Sequence, residues 1–198
     1  MRTKNVKNSI KIVKSSPLIL TEPKIIKAPK IHLEIGAGKG RFIIEKAIKH
    51  PDILFVAVEK YSSICLRILQ KQEELKLTNL IIINEDALIL NNYFQKQSVD
   101  VIYLNFSDPW PKPRYHKRRL TFTTYLNLYR DFLKKDGKIL FRTDHLDFFN
   151  DSIDYFKEAG YYLSNLSYDS PTLAIMSEYE LLKREYLKIN SLEAKVEA

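Results

Sequence analysis

With 198 residues, 45% of them hydrophobic and 28% charged, the chain has enough apolar material to bury one core, and its apolar runs are far shorter than the roughly 20 residues of a membrane span, so neither disorder throughout nor membrane insertion is expected. A formal net charge of +8 with a pI near 9.3 speaks of partners rather than fold, and nucleic acid is the first polyanion to consider. Cys65 stands alone and His32, His50, His116 and His145 lack ligand spacing; no internal disulfide can form, no zinc pattern exists, and a reducing cytoplasm is the expected compartment.

Residues 1–29 are basic and punctuated by Pro17, Pro23 and Pro29. With little apolar periodicity beyond Leu18-Ile19-Leu20, they read as a mobile or draped arm in front of a single domain spanning 30–198. No apolar stretch follows the basic start, so no secretory signal is expected. Ile31 to Ile35 is a strand, Gly36-Ala37-Gly38-Lys39-Gly40 a glycine-rich turn, and Arg41 to Ile48 an amphipathic helix. Glycines at 36, 38 and 40 let a backbone without Cβ atoms come close to a ligand. The spacing is neither of two familiar ones. A dinucleotide fingerprint places its third glycine one residue later, and a phosphate-cradling loop needs Gly where Leu33 stands and Ser or Thr where Gly40 stands.

Phe55 to Val58 is a second strand ending in Glu59, the place where a doubly wound sheet presents a carboxylate to ribose hydroxyls. Tyr61 to Lys76 has helical spacing of Ile64, Ile68 and Leu75, and Leu80 to Ile83 is a third strand closing in Asn84-Glu85-Asp86. Val101 to Leu104 is a fourth, delivering Asp108. Pro109, Pro111 and Pro113 then exclude continued helix or central strand, so a semi-rigid loop is expected, and Lys112, Arg114, Lys117, Arg118 and Arg119 follow without an acid among them. A turn has no need of three prolines, a tryptophan and five cations. Such density repels itself unless it faces water or a polyanion.

Phe122 to Lys135 reads as a helix stopped by Asp136-Gly137, Lys138 to Thr143 as the strand that delivers Asp144, and Phe148 to Ala159 as a helix ended by Gly160. Tyr161-Tyr162-Leu163 and Thr172 to Met176 are the expected final strand pair, and Ser177-Glu178-Tyr179-Glu180 matches a capping box opening a helix to about Lys188. Alternation of strand and helix implies a parallel sheet with its ligand crevice at the carboxyl ends of the strands. Glu59, Asp86, Asp108 and Asp144 all stand at such ends. One acid there is usually a cap; four favour a site.

Leu33-Glu34-Ile35-Gly36-Ala37-Gly38-Lys39-Gly40, Glu59, Asn105-Phe106-Ser107-Asp108-Pro109-Trp110-Pro111-Lys112, Lys117-Arg118-Arg119-Leu120-Thr121, Thr143-Asp144 and Tyr179-Glu180 resemble, in order, the signatures of the bacterial tRNA (guanine-N7-)-methyltransferases. The resemblance implies a Rossmann-like class I methyltransferase fold, α/β, a seven-stranded mostly parallel sheet with helices on both faces. It implies S-adenosylmethionine as cofactor, tRNA as partner, and methyl transfer to N7 of the variable-loop guanine, position 46 of the tRNA. It further implies that Glu34, Gly36, Gly38, Glu59, Asp86 and Asp108 line the cofactor, that Lys112, Asp144 and Ser177, Glu178, Tyr179 and Glu180 meet the substrate, that Arg114, Lys117, Arg118 and Arg119 lie along the RNA, and that Asp108 is catalytic. No metal or membrane is called for, and a monomer or homodimer is expected. Pro113, Tyr115 and Ser177 depart from the family pattern, which usually has a basic residue, histidine and threonine there.

Guanine N7 carries an in-plane lone pair and no proton, so a strong general base is not required; in-line approach and exposure of the N7 edge are. Asp108 is therefore expected to accept hydrogen bonds from the guanine N1–H and amine, or to stabilise charge developing on the ring. Two rival readings differ in what they leave unexplained. A class I methyltransferase of a small molecule or protein leaves the cationic loop idle, and a non-catalytic RNA-binding protein on the same fold leaves the four strand-end acids without a purpose. Nucleotide hydrolysis is a distant third because of the glycine spacing.

Overall fold

The computed structural model describes residues 8–20 and 22–196; whatever was expected of residues 1–7, 21 and 197–198 lies outside them. The first strand of the core, β2 (Ile31–Ile35), lies between β3 (Leu54–Val58) and β5 (Val99–Asn105). β4 (Leu80–Ile83) pairs outside β3, and β6 (Leu133–Thr143) outside β5, all parallel. Beyond β6, β8 (Asn190–Val196) pairs antiparallel, and β7 (Tyr161–Ser167) pairs antiparallel with β8 in turn and so runs in the direction of β6. Those seven strands are the expected sheet. An eighth, β1 (Ile19–Leu20), adds two residues beside β4, giving the order β1-β4-β3-β2-β5-β6-β8-β7.

Sheet burial follows the side-chain period of two. Phe55 and Ala57 of β3, with Leu80 and Ile82 of β4, face one apolar cluster with Ile43, Ile44 and Ala47 of α2 (Arg41–Lys49) and Cys65, Ile68 and Leu69 of α3 (Ser62–Leu75). Val56, Val58, Ile83, Ile102, Leu104 and Phe141 face the other, with Leu126 and Tyr129 of α4 (Thr123–Phe132) and Phe148, Phe149 and Phe156 of α5 (Leu146–Glu158). Helices cover both faces, so the central strands are continuously apolar rather than alternating. Connections β2 to β3 and β5 to β6 leave in opposite directions, which opens a crevice between β2 and β5 at their carboxyl ends.

Several local expectations need revision. Within the stretch read as an arm, α1 (Ser9–Ser15) and β1 pack on the domain, with Val13, Ile19 and Ile26 buried; residues 8–20 are draped rather than free. The helix over 122–135 ends at Phe132, because Leu133 already pairs with Val99 as the start of β6. Residues 172–176 form no strand. The antiparallel partner of β6 is β8, near the end of the described chain, and its tie is Asn190 Nδ2 donating to the Thr143 carbonyl at 3.3 Å. α6 (Glu178–Lys183) is shorter than expected. The proline loop holds a six-residue 3₁₀ helix, Pro113–Arg118, with Pro113 in its first turn, where a missing amide costs nothing.

Candidate active site

The glycine turn is held down by the neighbouring strand. Gly36 and Ala37 donate to the Val58 carbonyl at 2.9 and 3.0 Å, and Gly36, Gly38 and Gly40 all have positive φ. At Gly40 the need is steric as well as conformational: a Cβ would stand 2.9 Å from Ile68 Cγ1, so this glycine seats α2 against α3. At Gly38 a Cβ would meet nothing within 4 Å, so only its positive φ calls for glycine there. Glu59 closes the turn from β3, accepting from the Gly38 amide at 3.1 Å and the Tyr61 amide at 2.9 Å. Burial pushes its carboxyl up, against those two hydrogen bonds, and the Asp108 carboxylate adds in the same direction.

A cavity of about 510 Å³ opens above these groups. Its wall is Ile35 and Gly36 from the end of β2, Glu59 to Tyr61 after β3, Glu85 and Asp86 after β4, and Phe106, Ser107 and Asp108 after β5, with Trp110, Arg118 and Leu120 closing the far side. Asp86 also caps the short helical turn behind it, accepting from the Leu88 amide at 3.0 Å. The size suits a small-molecule cofactor. Two features set this stretch of wall apart from ordinary loop. Phe106 (φ 51°) and Trp110 (φ 41°) adopt left-handed backbone that bulky residues avoid, and Ser107 between Phe106 and Asp108 has its hydroxyl buried without a partner.

The lip beside the cavity is pinned from beneath. Arg119 is 1% exposed, and its guanidinium donates to the Pro109 carbonyl at 2.7 Å, the Trp110 carbonyl at 3.5 Å and Asp151 on α5 at 2.6 Å, with His116 Nε2 at 2.9 Å. The two carbonyls follow Asp108 directly in the chain. Lys112, Arg114, Lys117 and Arg118 remain exposed, and among the described residues none of the four has an acid within ion-pair distance.

On the other side of Phe106 lies a second polar group. Tyr179 donates to Asp144 at 2.9 Å and its ring lies 5.3 Å from that of Phe106, while Lys39 of the glycine turn reaches Glu178 at 3.0 Å. α6, which carries Glu178 and Tyr179, is locked from inside: Glu180 is 1% exposed and its carboxylate pairs with Arg142 of β6 at 2.5 Å and Arg184 at 3.1 Å.

A family model described as "Putative methyltransferase" matches residues 28–188. The chain is 38% identical over 194 residues, 91% of both chains, to the tRNA (guanine-N(7)-)-methyltransferase of Lachnoclostridium phytofermentans. It belongs to that tRNA (guanine-N(7)-)-methyltransferase family. A relative of the same name from Bacillus cytotoxicus is 45% identical over 154 residues, 76% of this chain and 71% of its own. Among solved structures, the 16S rRNA methyltransferase KamB superposes with a TM-score of 0.66 at 15% identity, covering 87% of this chain and 90% of its own. A SAM-dependent methyltransferase from Aquifex aeolicus gives 0.62 at 12%, covering 96% and 97%. The fold is therefore the Rossmann-like methyltransferase fold that was expected.

Set against the family's expected site, the structure brings Gly36, Glu59, Asp86, Asp108 and Arg118 onto one cavity. Glu34 and Gly38 do not line it. Glu34 is buried beneath the turn, with Oε1 accepting from Asn105 at 2.9 Å and Oε2 unpartnered, and burial pushes its carboxyl up to about 8 despite the Asn105 hydrogen bond. Arg119 cannot lie along an RNA, because it is buried under its own loop. The capping box is half formed: Ser177 Oγ accepts from the Glu180 amide at 3.1 Å, but the Glu180 carboxylate turns to Arg142 and Arg184 instead of reaching back. Buried in that pair, Glu180 is not placed to touch a substrate. Lys112, Asp144 and Ser177 to Glu180 lie outside the cavity wall, with Tyr179 joined to it through Phe106. Sequence reading missed Glu85, Ser107 and Trp110 as wall residues. Adjacency to Asp86 and Asp108 was the available signal.

Proposed function

We propose that this family member transfers a methyl group from S-adenosylmethionine to N7 of the variable-loop guanine, position 46, of tRNA. The observation that carries the reading is the juxtaposition on one cavity of a glycine turn and three strand-end carboxylates, Glu59, Asp86 and Asp108, with the cationic lip that Arg118 begins. An acidic wall suits a positively charged methyl donor, and an unpaired basic rim suits a polyanion.

S-adenosylmethionine, when bound, supplies an electrophilic methyl group. Gly36, Glu59, Asp86 and Ser107, all on the cavity wall, are the residues that would hold it, and they fit a cationic, polar cofactor because two of them are carboxylates and the Ser107 hydroxyl has no partner of its own. Glu34 supports the turn from below. Asp108, exposed at the cavity edge, accepts from the N1–H and amine of the incoming guanine, which orients N7 inward and offsets the charge growing on the ring. No proton has to leave N7, so Asp108 works as an orienting anion. Lys112, Arg114, Lys117 and Arg118 carry the phosphates, and Asp144 with Tyr179 borders the base. Residues 30–198 form the methyltransferase domain in this reading, with residues 8–20 as its edge.

Radiolabelled methyl transfer to unmodified tRNA, followed by mapping of the modified base, tests this. Label on N7 of the variable-loop guanine is the expected result; label on another base, or transfer only to small amines, overturns it.

A further inference from the structure

Rings and guanidiniums alternate along the lip. Arg114 lies 4.8 Å and Arg118 4.7 Å from the centre of the Tyr115 ring; Arg118 also lies 5.0 Å from the Trp110 ring, which meets Tyr115 edge-on at 6.0 Å. The series Arg114, Tyr115, Arg118, Trp110 thus leads from exposed surface to the cavity wall. We propose that Tyr115 is a positioning residue, its ring holding the Arg114 and Arg118 guanidiniums ready as a pair of phosphate clamps beside the cavity mouth. This rests on the reading that the substrate is RNA.

The chemistry favours it on three counts. Two cations four residues apart on a short helical turn repel and would splay into water, whereas the negative face of a shared ring attracts both. A guanidinium that meets a ring through its face would keep its N–H edge free, and that edge is what binds phosphate, so ring contact and phosphate binding need not compete. The backbone beneath is already fixed, by Pro113 at the start of the 3₁₀ helix and by Arg119 below, so ordering the two side chains is the freedom left to remove before RNA arrives. Tyrosine also stands where the family's resemblance leads one to expect histidine, so the ring's contribution is testable as a feature of this chain.

The test is a double-mutant cycle on the full chain, reading unmodified-tRNA binding by fluorescence anisotropy together with KM and kcat for methylation. Tyr115→Ala is expected to weaken tRNA binding about five- to thirty-fold, the equivalent of two exposed cation–π contacts, with the loss in KM rather than kcat. Tyr115→Phe, which keeps the ring, is expected to stay within about twofold of wild type. In an Arg114→Ala/Arg118→Ala background, Tyr115→Ala is expected to add less than about twofold, because nothing is left to position. An equal cost in that background means that the ring meets RNA by itself, for instance by stacking on a base, and overturns the proposal. Wild-type binding by Tyr115→Ala overturns it too, as does a loss of S-adenosylmethionine affinity in calorimetry, which would make the ring part of the cavity's own fold. Should the wild-type chain bind no tRNA in the same assay, the underlying reading fails instead, so the two failures are distinguishable.

Discussion

The wall of the cavity and its lip are built by different physics. The wall is backbone: parallel strands end together, the Gly36 and Ala37 amides tie to Val58, and the carboxylates sit where the strands release them. The lip is side chain: a buried guanidinium beneath, an alternation of rings and cations above, and prolines between. Backbone geometry belongs to the fold and is shared with methyltransferases only 12 to 15% identical. The side-chain scaffolding is a property of this chain's own loop, and it places Asp108 beside the wall with exposed cations one step away.

The largest effect should come where wall and lip meet. Asp108→Asn is expected to lower kcat for tRNA methylation on the order of 100-fold while S-adenosylmethionine affinity in calorimetry changes far less; near wild-type kcat would remove Asp108 from the reaction. Next is the support beneath. Arg119→Ala leaves the Pro109 and Trp110 carbonyls without their donor and opens a void, so a loss of about 2–4 kcal/mol in denaturant unfolding is expected, with a fall in kcat but an unchanged salt dependence of tRNA binding. A reduced salt slope in Arg119→Ala would return that residue to the RNA surface.

Glu34, beneath the glycine turn, carries a pH signature. Its carboxyl moves from an ordinary 4.5 to about 8 in the folded chain; the folded state therefore holds the proton more tightly than the unfolded one, so this contribution is complete below about 4.5 and is lost as pH rises toward 8. Glu34→Gln cannot lose it. Thermal unfolding of both chains between pH 5 and 9 should show the wild type losing on the order of a few kcal/mol relative to the variant, and parallel curves would show that Glu34 carries no such proton.

The lip should answer to salt. At about −0.9 per neutralised phosphate, five cations correspond to a slope of log affinity against log salt of about −4.5; with Arg119 buried, four remain, and about −3.6 is expected for wild type, falling toward zero when Lys112, Arg114, Lys117 and Arg118 are all neutralised. Smallest is the exposed Lys39–Glu178 pair, whose removal by Lys39→Ala should change stability by less than about 1 kcal/mol. A larger loss in thermal unfolding would mean that this contact joins the glycine turn to α6 in earnest.

Legibility followed the same division. Ile31 to Ile35, the glycine turn, Phe55 to Val58 and Leu80 to Ile83 were readable because apolar period and glycine spacing are local and the backbone obeys them. Asn190 to Val196 was not read as a strand because its residues have weak apolar character and pair only with β6 and β7, across a long reach of chain. Arg119 and Glu180 were misread for a related reason. Each sits in a run whose neighbours are exposed, and nothing in a run of Lys-Arg-Arg or Glu-Tyr-Glu tells which charge turns inward.

By itself, the sequence determined an α/β sheet with acids at its strand ends, a glycine turn, and a cationic proline loop, because these follow from periodicity and from the restricted backbone of glycine and proline. Only the tertiary structure decided which charges face solvent. Burial and pairing are properties of what lies opposite in space: Asp151 for Arg119, Arg142 for Glu180, and the shared Tyr115 ring for Arg114 and Arg118.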